Sequence, residues 1–122
     1  PPGAHQVDQM NFSCDIDVFR GWAEAVCFGR FTHEVHRLFN VANVYKRAQG
    51  QGAIERVEGL ERFRERHRDA LVWENLLPVG ARRRNWRQTL VSDGFVVVRH
   101  PDLAATLAIA DEFGSEVRLF AN

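Results

Sequence analysis

The pattern of apolar and polar positions first indicates a helix at residues 15–29. Apolar residues recur there at helical spacing, Ser13 or Asp15 is available to cap the start, and Gly29 follows the last apolar position. This apolar stripe consists of Ile16, Phe19, Ala23, Val26 and Cys27. We expect Phe19, Ala23 and Val26 to be buried against a sheet, and Cys27 to be a buried small hydrophobe rather than a nucleophile.

Two apolar segments flank a glycine turn in the middle of the chain. The segments VANVYKRAQ (41–49) and GAIERVE (52–58) carry alternating or β-branched residues on either side of Gly50 to Gly52. This pattern predicts a β-hairpin. Residues 1–12 contain two prolines and a glycine among polar residues, a composition that favours a turn or an extended loop.

The second half of the chain alternates helical and strand patterns. Good helix formers fill GLERFRERHRD (59–69), and ALVWENLLPV (70–79) follows as a strand. The strongest strand is GFVVVRH (94–100), and a helix from Leu103 to Gly114 and a strand at 115–121 come after it. From residue 52 to 121 the predicted order is βαββαβ, that of a ferredoxin-like unit. The predicted fold class is α+β, an antiparallel sheet with two or three covering helices.

Composition and charge narrow the class of protein. The 122 residues are 45% hydrophobic, which suits one core and one domain. Sixteen Lys and Arg balance sixteen Asp and Glu, so the field that would steer the chain to nucleic acid or to an anionic membrane is absent. Cys14 and Cys27 are expected to be reduced thiols. Because no apolar run approaches about 20 residues and the start lacks the pattern of a signal peptide, we expect a soluble cytoplasmic chain.

Two polar clusters are candidates for binding chemistry. The sequence THEVH (32–36) lacks the spacing that puts both histidines of HExxH on one helical face, so a surface connection is the better interpretation. Arginines surround Trp86 at positions 82, 83, 84 and 87, as in a phosphate-binding patch with a stacking aromatic. The neutral net charge favours a solvated hairpin or a local ion-pair surface there.

The opening arm also carries polar residues, and the known catalytic signatures are absent. His5 and Asp8, with Gln6, are candidates to line a site, although plain solvent exposure is the simpler interpretation. The chain contains no phosphate loop, serine elbow, paired-cysteine metal motif or dinucleotide fingerprint. Residue chemistry alone therefore predicts no active site.

The order of short motifs along the whole chain carries a resemblance. PPGAHQ (1–6) is followed by a loop and then by a helix near DVFRGWAE (17–24), and later by GAIERVEGLE (52–61) and DGFVVV (93–98). This succession resembles ATP-grasp ligases related to biotin carboxylase, the large subunit of carbamoyl-phosphate synthase and L-amino-acid ligases. In that family an acid, an asparagine and an arginine end the catalytic strand, and a turn rich in proline and glycine follows.

The resemblance implies that residues 1–122 are the C-terminal lobe of an ATP-dependent carboxylate–amine or carboxylate–thiol ligase that acts through an acyl phosphate. Residues 1–14 would be an arm from the catalytic core, and residues 15–122 an α+β subdomain. ATP and magnesium would serve the intact enzyme, and neither is expected to bind this chain alone. The implied partners are the upstream ATP-grasp domains, a small carboxylate and an amine, and a homodimer is compatible with the pattern.

The resemblance also implies a substrate-binding turn at Gly3, Ala4, His5 and Gln6. Gly3 and Ala4 match the small pair after the family arginine, where backbone N–H groups can approach an anionic substrate. His5 and Gln6 stand where apolar residues are commoner. Catalytic and metal-binding residues would lie upstream, and without that part we expect residues 1–12 to lack backbone partners and to be mobile.

Two alternatives stay open. The first is a self-contained ferredoxin-like module that binds or assembles through a sheet edge and has no catalysis. The second is nucleic-acid binding through the arginines around Trp86, which the charge balance disfavours.

Overall fold

A computed structural model describes residues 5–122 of the chain. Nine elements follow one another in it: α1 (Gln6–Cys14), α2 (Val18–Phe28), β1 (Asn40–Tyr45), β2 (Ile54–Glu58), α3 (Leu60–Arg66), β3 (Leu71–Leu76), β4 (Gly94–His100), α4 (Leu103–Glu116) and β5 (Arg118–Ala121). The α+β class is confirmed, and the elements from β2 to β5 have the predicted βαββαβ order.

The strands form two antiparallel sheets instead of one. A three-stranded sheet has the order β1-β4-β3, and β2 pairs with β5 in a separate ribbon. The central strand β4 is buried from Gly94 to Val98, which is why its sequence is a continuous apolar run rather than an alternating one. Its backbone groups are satisfied by β1 on one side and β3 on the other.

The hairpin predicted from residues 41–58 is wrong. β1 pairs with β4, from Asn40 opposite His100 to Tyr45 opposite Phe95, and β2 pairs with β5. The glycine turn carries the chain from β1, in the three-stranded sheet, to β2, in the ribbon. Just before this turn, the Gln49 N–H donates to the Leu119 carbonyl, and the Gln49 carbonyl accepts from the Ala121 N–H. The two strands therefore satisfy their backbone groups through distant segments instead of through each other.

One hydrophobic core lies between these sheets and helices α3 and α4. Phe63 of α3 packs against Phe113 of α4, with ring centroids 5.1 Å apart. The side chains of Val96 and Val98 enter the core from one face of β4. The buried members of the core are Ala48, Ile54, Phe63, Ala70, Val96, Val98, Ile109, Phe113, Val117 and Leu119. Phe95 and Val97 alternate with them and therefore point to the other face of the sheet.

The opening arm is a helix over much of its length, so the loop expected at residues 1–12 is wrong for Gln6 onward. The backbone of the arm also has partners: Leu38 and Phe39 N–H groups both donate to the Ser13 carbonyl, at 2.9 and 3.0 Å. Arg99 of β4 donates to the Phe12 carbonyl at 2.9 Å. These long-range hydrogen bonds attach α1 to the sheet. The local composition of residues 1–12 could not predict them, because the partners lie far away in the sequence.

Helix α2 ends at the predicted glycine, but it begins at Val18 instead of residue 15, it is capped by neither Ser13 nor Asp15, and it does not have the predicted burial. Asp17 caps it by accepting the Arg20 N–H at 3.0 Å, and Gly29 ends it in the left-handed conformation. Phe19 is 55% exposed and Val26 66% exposed, and Ala23 and Cys27 are exposed too. The expected burial of the stripe is wrong because no element of the described chain packs on that face.

Of the helices in residues 5–122, none is both long and apolar enough to cross a membrane.

Candidate functional site

The predicted substrate-binding turn lies partly within the described chain. Gly3 and Ala4 are outside the described residues. His5 and Gln6 are adjacent at the start of α1, but they meet different surroundings: Gln6 is exposed at a cleft that α1 shares with β1 and α4, whereas the His5 ring lies against Trp73 and Phe95.

His5 is held by aromatic side chains on the face of the sheet opposite the core. Its ring centroid is 5.2 Å from that of Trp73, edge to face, and 4.5 Å from that of Phe95. Trp73 and Phe95 are themselves 4.9 Å apart on neighbouring strands. The side chain is only 17% exposed, so solvent exposure is the wrong interpretation of His5.

The two ring nitrogens of His5 differ in their surroundings. Nδ1 lies 3.3 Å from the Asp8 carboxylate, one helical turn further along. Nε2 is buried and has no hydrogen-bond partner among residues 5–122. A buried polar atom without a partner costs about 1–3 kcal/mol. Pairing of Nε2 with a further polar group would remove this cost.

The cleft beside Gln6 has a volume of about 490 Å³. Its walls are mostly amide, hydroxyl and apolar side chains, and Arg37 contributes a charge. Gln6, Gln9 and Ser13 of α1 face Thr106 and Leu107 of α4 across it. It is open, so it can hold a chain segment or a small molecule only at its surface.

The arginines around Trp86 form a more organised cluster than a solvated hairpin. The segment between β3 and β4 contains no strand of its own, and Arg82 makes only an isolated bridge with Ala53. Arg83 donates through Nε to the Asp93 carboxylate at 2.9 Å, and its Nη2 forms an ion pair with the same carboxylate oxygen at 2.8 Å. The interpretation as a local ion pair is thus correct for Arg83, and the hairpin is wrong.

Asp93 organises this segment, although it is not among the candidates that the sequence indicates. It is 1% exposed and accepts hydrogen bonds from the Ala48 and Arg84 backbone N–H groups at 2.8 and 3.1 Å, besides those of Arg83. Burial acts to raise the pKa of Asp93, but these hydrogen bonds outweigh burial and hold that pKa below its ordinary value. The available signal was an acid directly before the most apolar strand.

The other sequence candidates do not assemble into a site. His36 lies 3.7 Å from Glu34, and both side chains are largely exposed. Across residues 5–122 no three His, Cys, Asp or Glu side chains are placed to share a metal ion. Cys14 and Cys27 are free thiols.

Comparison with known proteins defines the fold. No protein-family profile matches the sequence, and no curated protein matches it. Among solved structures, the chain is similar to the crystal structure of an L-amino acid ligase from Bacillus licheniformis, with a TM-score of 0.71 at 18% sequence identity. The match covers 95% of this chain and 30% of that ligase. The chain therefore has the fold of one part of that ligase.

Proposed function

We propose that residues 1–122 form the C-terminal lobe of an ATP-dependent ligase that joins a carboxylate to an amine through an acyl phosphate. The observation that carries the proposal is the match of 95% of this chain to a 30% portion of an L-amino acid ligase. In this reaction ATP phosphorylates the carboxylate and leaves as ADP, and the amine then displaces the phosphate. The lobe is inactive by itself.

ATP and magnesium would be held by other domains of the enzyme. Phosphoryl transfer needs metal ions and cationic groups around the transferring phosphate. The described residues offer no cluster of acids suited to a metal ion, so we derive no step of the transfer within this chain.

The role proposed for this chain is substrate binding at the turn before α1. In this proposal Gly3 and Ala4 present backbone N–H groups, and His5 offers its free Nε2 to a polar group of the substrate. Trp73 and Phe95 restrict the His5 ring, which supports a positioning or binding role. Gln6 would face the substrate only after a change from its exposed position at the cleft.

The exposed face of α2 supports the need for other domains. Phe19, Trp22 and Val26 lie on one face of this helix, and all three are more than half exposed. Contiguous apolar surface of this kind marks an interaction site in soluble proteins. We propose that the face packs against the remaining domains of the ligase, since 70% of the matched ligase lies outside the part that corresponds to this chain.

A calorimetric titration tests the ligase proposal. We expect no magnesium-dependent ATP binding to the 122-residue chain, and tight binding would contradict the proposal. The coding sequence before Pro1 provides a second test: Glu-x-Asn-x-Arg directly upstream supports a ligase, whereas a start codon there supports the self-contained binding module.

The role of His5 is tested in the parent enzyme. His5→Ala should lower kcat/KM for the carboxylate substrate by about tenfold or more, the effect of losing one hydrogen bond to a charged group. His36→Ala, at an exposed histidine, should leave kcat/KM unchanged. Equal effects of the two variants would remove His5 from the site.

The interface is tested by Trp22→Ala, with Arg20→Ala on the same helix as the control. Trp22→Ala should change the free energy of unfolding of the 122-residue chain by no more than about 0.5 kcal/mol. In the full-length ligase it should weaken the packing of this lobe against the other domains by about 2 kcal/mol. An unchanged parent protein would show that the α2 face is not an interface.

A further inference from the structure

A cleft of about 360 Å³ lies beside the arginine cluster, and the ligase proposal does not use it. The cleft is lined by Arg47, Gln51, Arg83, Arg84, Asn85 and Trp86. These residues come from the segment after β1 and from the segment before β4, and the tertiary structure brings them together.

Positive charge in this cleft is only partly neutralised. Asp93 pairs with Arg83. The ion pairs of the described residues leave Arg47, Arg84 and Arg87 without a carboxylate within 4.0 Å. The cluster thus carries excess positive charge on a chain whose formal net charge is zero. An anion would offset this excess.

Arg84 provides an independent indication of a ligand. Its backbone N–H is fixed by Asp93 at 3.1 Å. One guanidinium nitrogen, Nη1, is buried and has no hydrogen-bond partner within residues 5–122. A buried charged donor without an acceptor is unfavourable, and an anion in the cleft would supply the acceptor.

The geometry favours a phosphate over a nucleic-acid base. The guanidinium carbons of Arg47 and Arg87 lie 5.1 and 5.3 Å from the centroid of the Trp86 ring, so both side chains already make cation–π contacts with it. Base stacking would have to displace them. Guanidinium groups match phosphate oxygens in bidentate geometry, and several of them converge here.

We propose that this cleft binds the phosphate group of a phosphorylated small molecule, with Arg47 and Arg84 as its main ligands. The inference is independent of the ligase proposal, because it needs neither upstream domains nor the His5 region. The site would work in the 122-residue chain by itself.

Titration of the chain with inorganic phosphate and with pyrophosphate, followed by amide chemical shifts, tests the proposal. We expect saturable shifts at residues 83–87 and about tenfold weaker binding in Arg84→Gln and in Arg47→Gln, the usual effect of losing a charge-assisted hydrogen bond. Arg68→Gln, at an exposed arginine outside the cluster, is the matched control. Arg47 is exposed, so its variant should stay folded even if Arg84→Gln does not.

Three outcomes would overturn the proposal. Shifts spread over the surface, or equal losses in Arg47→Gln and Arg68→Gln, would show non-specific charge attraction. Acetate binding as tightly as phosphate would show a carboxylate site. A single-stranded oligonucleotide that binds far more tightly than pyrophosphate, with a steep dependence on salt, would show a nucleic-acid site instead.

Discussion

Replacing Asp93 with Asn should destabilise the protein strongly, although the two side chains have nearly the same shape. Asp93 is 1% exposed, and its carboxylate accepts hydrogen bonds from Ala48, Arg83 and Arg84. An amide has one acceptor oxygen instead of two, so its NH₂ group must face one of these donors. The substitution also leaves the Arg83 guanidinium without its counter-charge.

The expected loss is about 3 kcal/mol. Removing one partner of a buried ion pair costs about 3–5 kcal/mol, and the lower end applies here because the Arg83 side chain is 17% exposed and can be partly rehydrated. The loss is a large fraction of the about 5–15 kcal/mol that stabilises a typical domain. It should also loosen the connection between Ala48 and the segment before β4.

Urea denaturation followed by tryptophan fluorescence measures this loss. Asp111→Asn is the matched control, since Asp111 is exposed on α4 and its change should stay within about 0.5 kcal/mol. A loss below about 1 kcal/mol for Asp93→Asn would refute the reasoning. It would mean that the ion pair merely offsets its own desolvation.

Three further outcomes are expected. The pKa of Asp93 is lowered in the folded state, so its stabilisation is complete above about pH 4 and is lost as the pH falls; urea midpoints should drop on acidification, and less so in Asp93→Asn. Phe113→Ala should cost about 3–5 kcal/mol and Phe19→Ala under about 1 kcal/mol, since Phe113 is fully buried and Phe19 is not; thermal melts that rank them in the opposite order would contradict this core. Gly50→Ala should destabilise the protein more than Gly29→Ala. At Gly29 the space is open and only the left-handed backbone costs roughly 1–2 kcal/mol, whereas a Cβ at position 50 would collide with the Ala121 carbonyl oxygen. Equal denaturation midpoints for the two variants would argue against that close approach.

Local patterns predicted most of the elements. The run GFVVVRH, the helix after Pro101 and the strand at the end of the chain are all present in the structure. Helix α2 ends at Gly29 as expected. The βαββαβ order follows from these elements, because each depends on side-chain periodicity and capping within about ten residues.

The candidate site was only partly predictable. The sequence indicates His5 and Gln6 but not the aromatic side chains around His5, since Trp73 and Phe95 come together only through the pairing of β3 with β4. The sequence also indicates Arg83 and Arg84, but not their pairing with Asp93. The proposed phosphate cleft also involves Arg47 and Asp93, which meet these arginines only in the tertiary structure.

The sequence by itself determined the class of fold and the order and type of its later elements, since hydrophobic periodicity and glycine positions act locally. The tertiary structure decided strand pairing: residues 41–58 look like a hairpin, yet β1 and β2 join different sheets. It also decided which apolar face is covered, leaving Phe19 and Val26 exposed while Phe63 and Phe113 form the core. The physical reason is that burial and backbone hydrogen bonding depend on which distant segments reach a surface, and an apolar stripe specifies that it needs a partner without specifying which one.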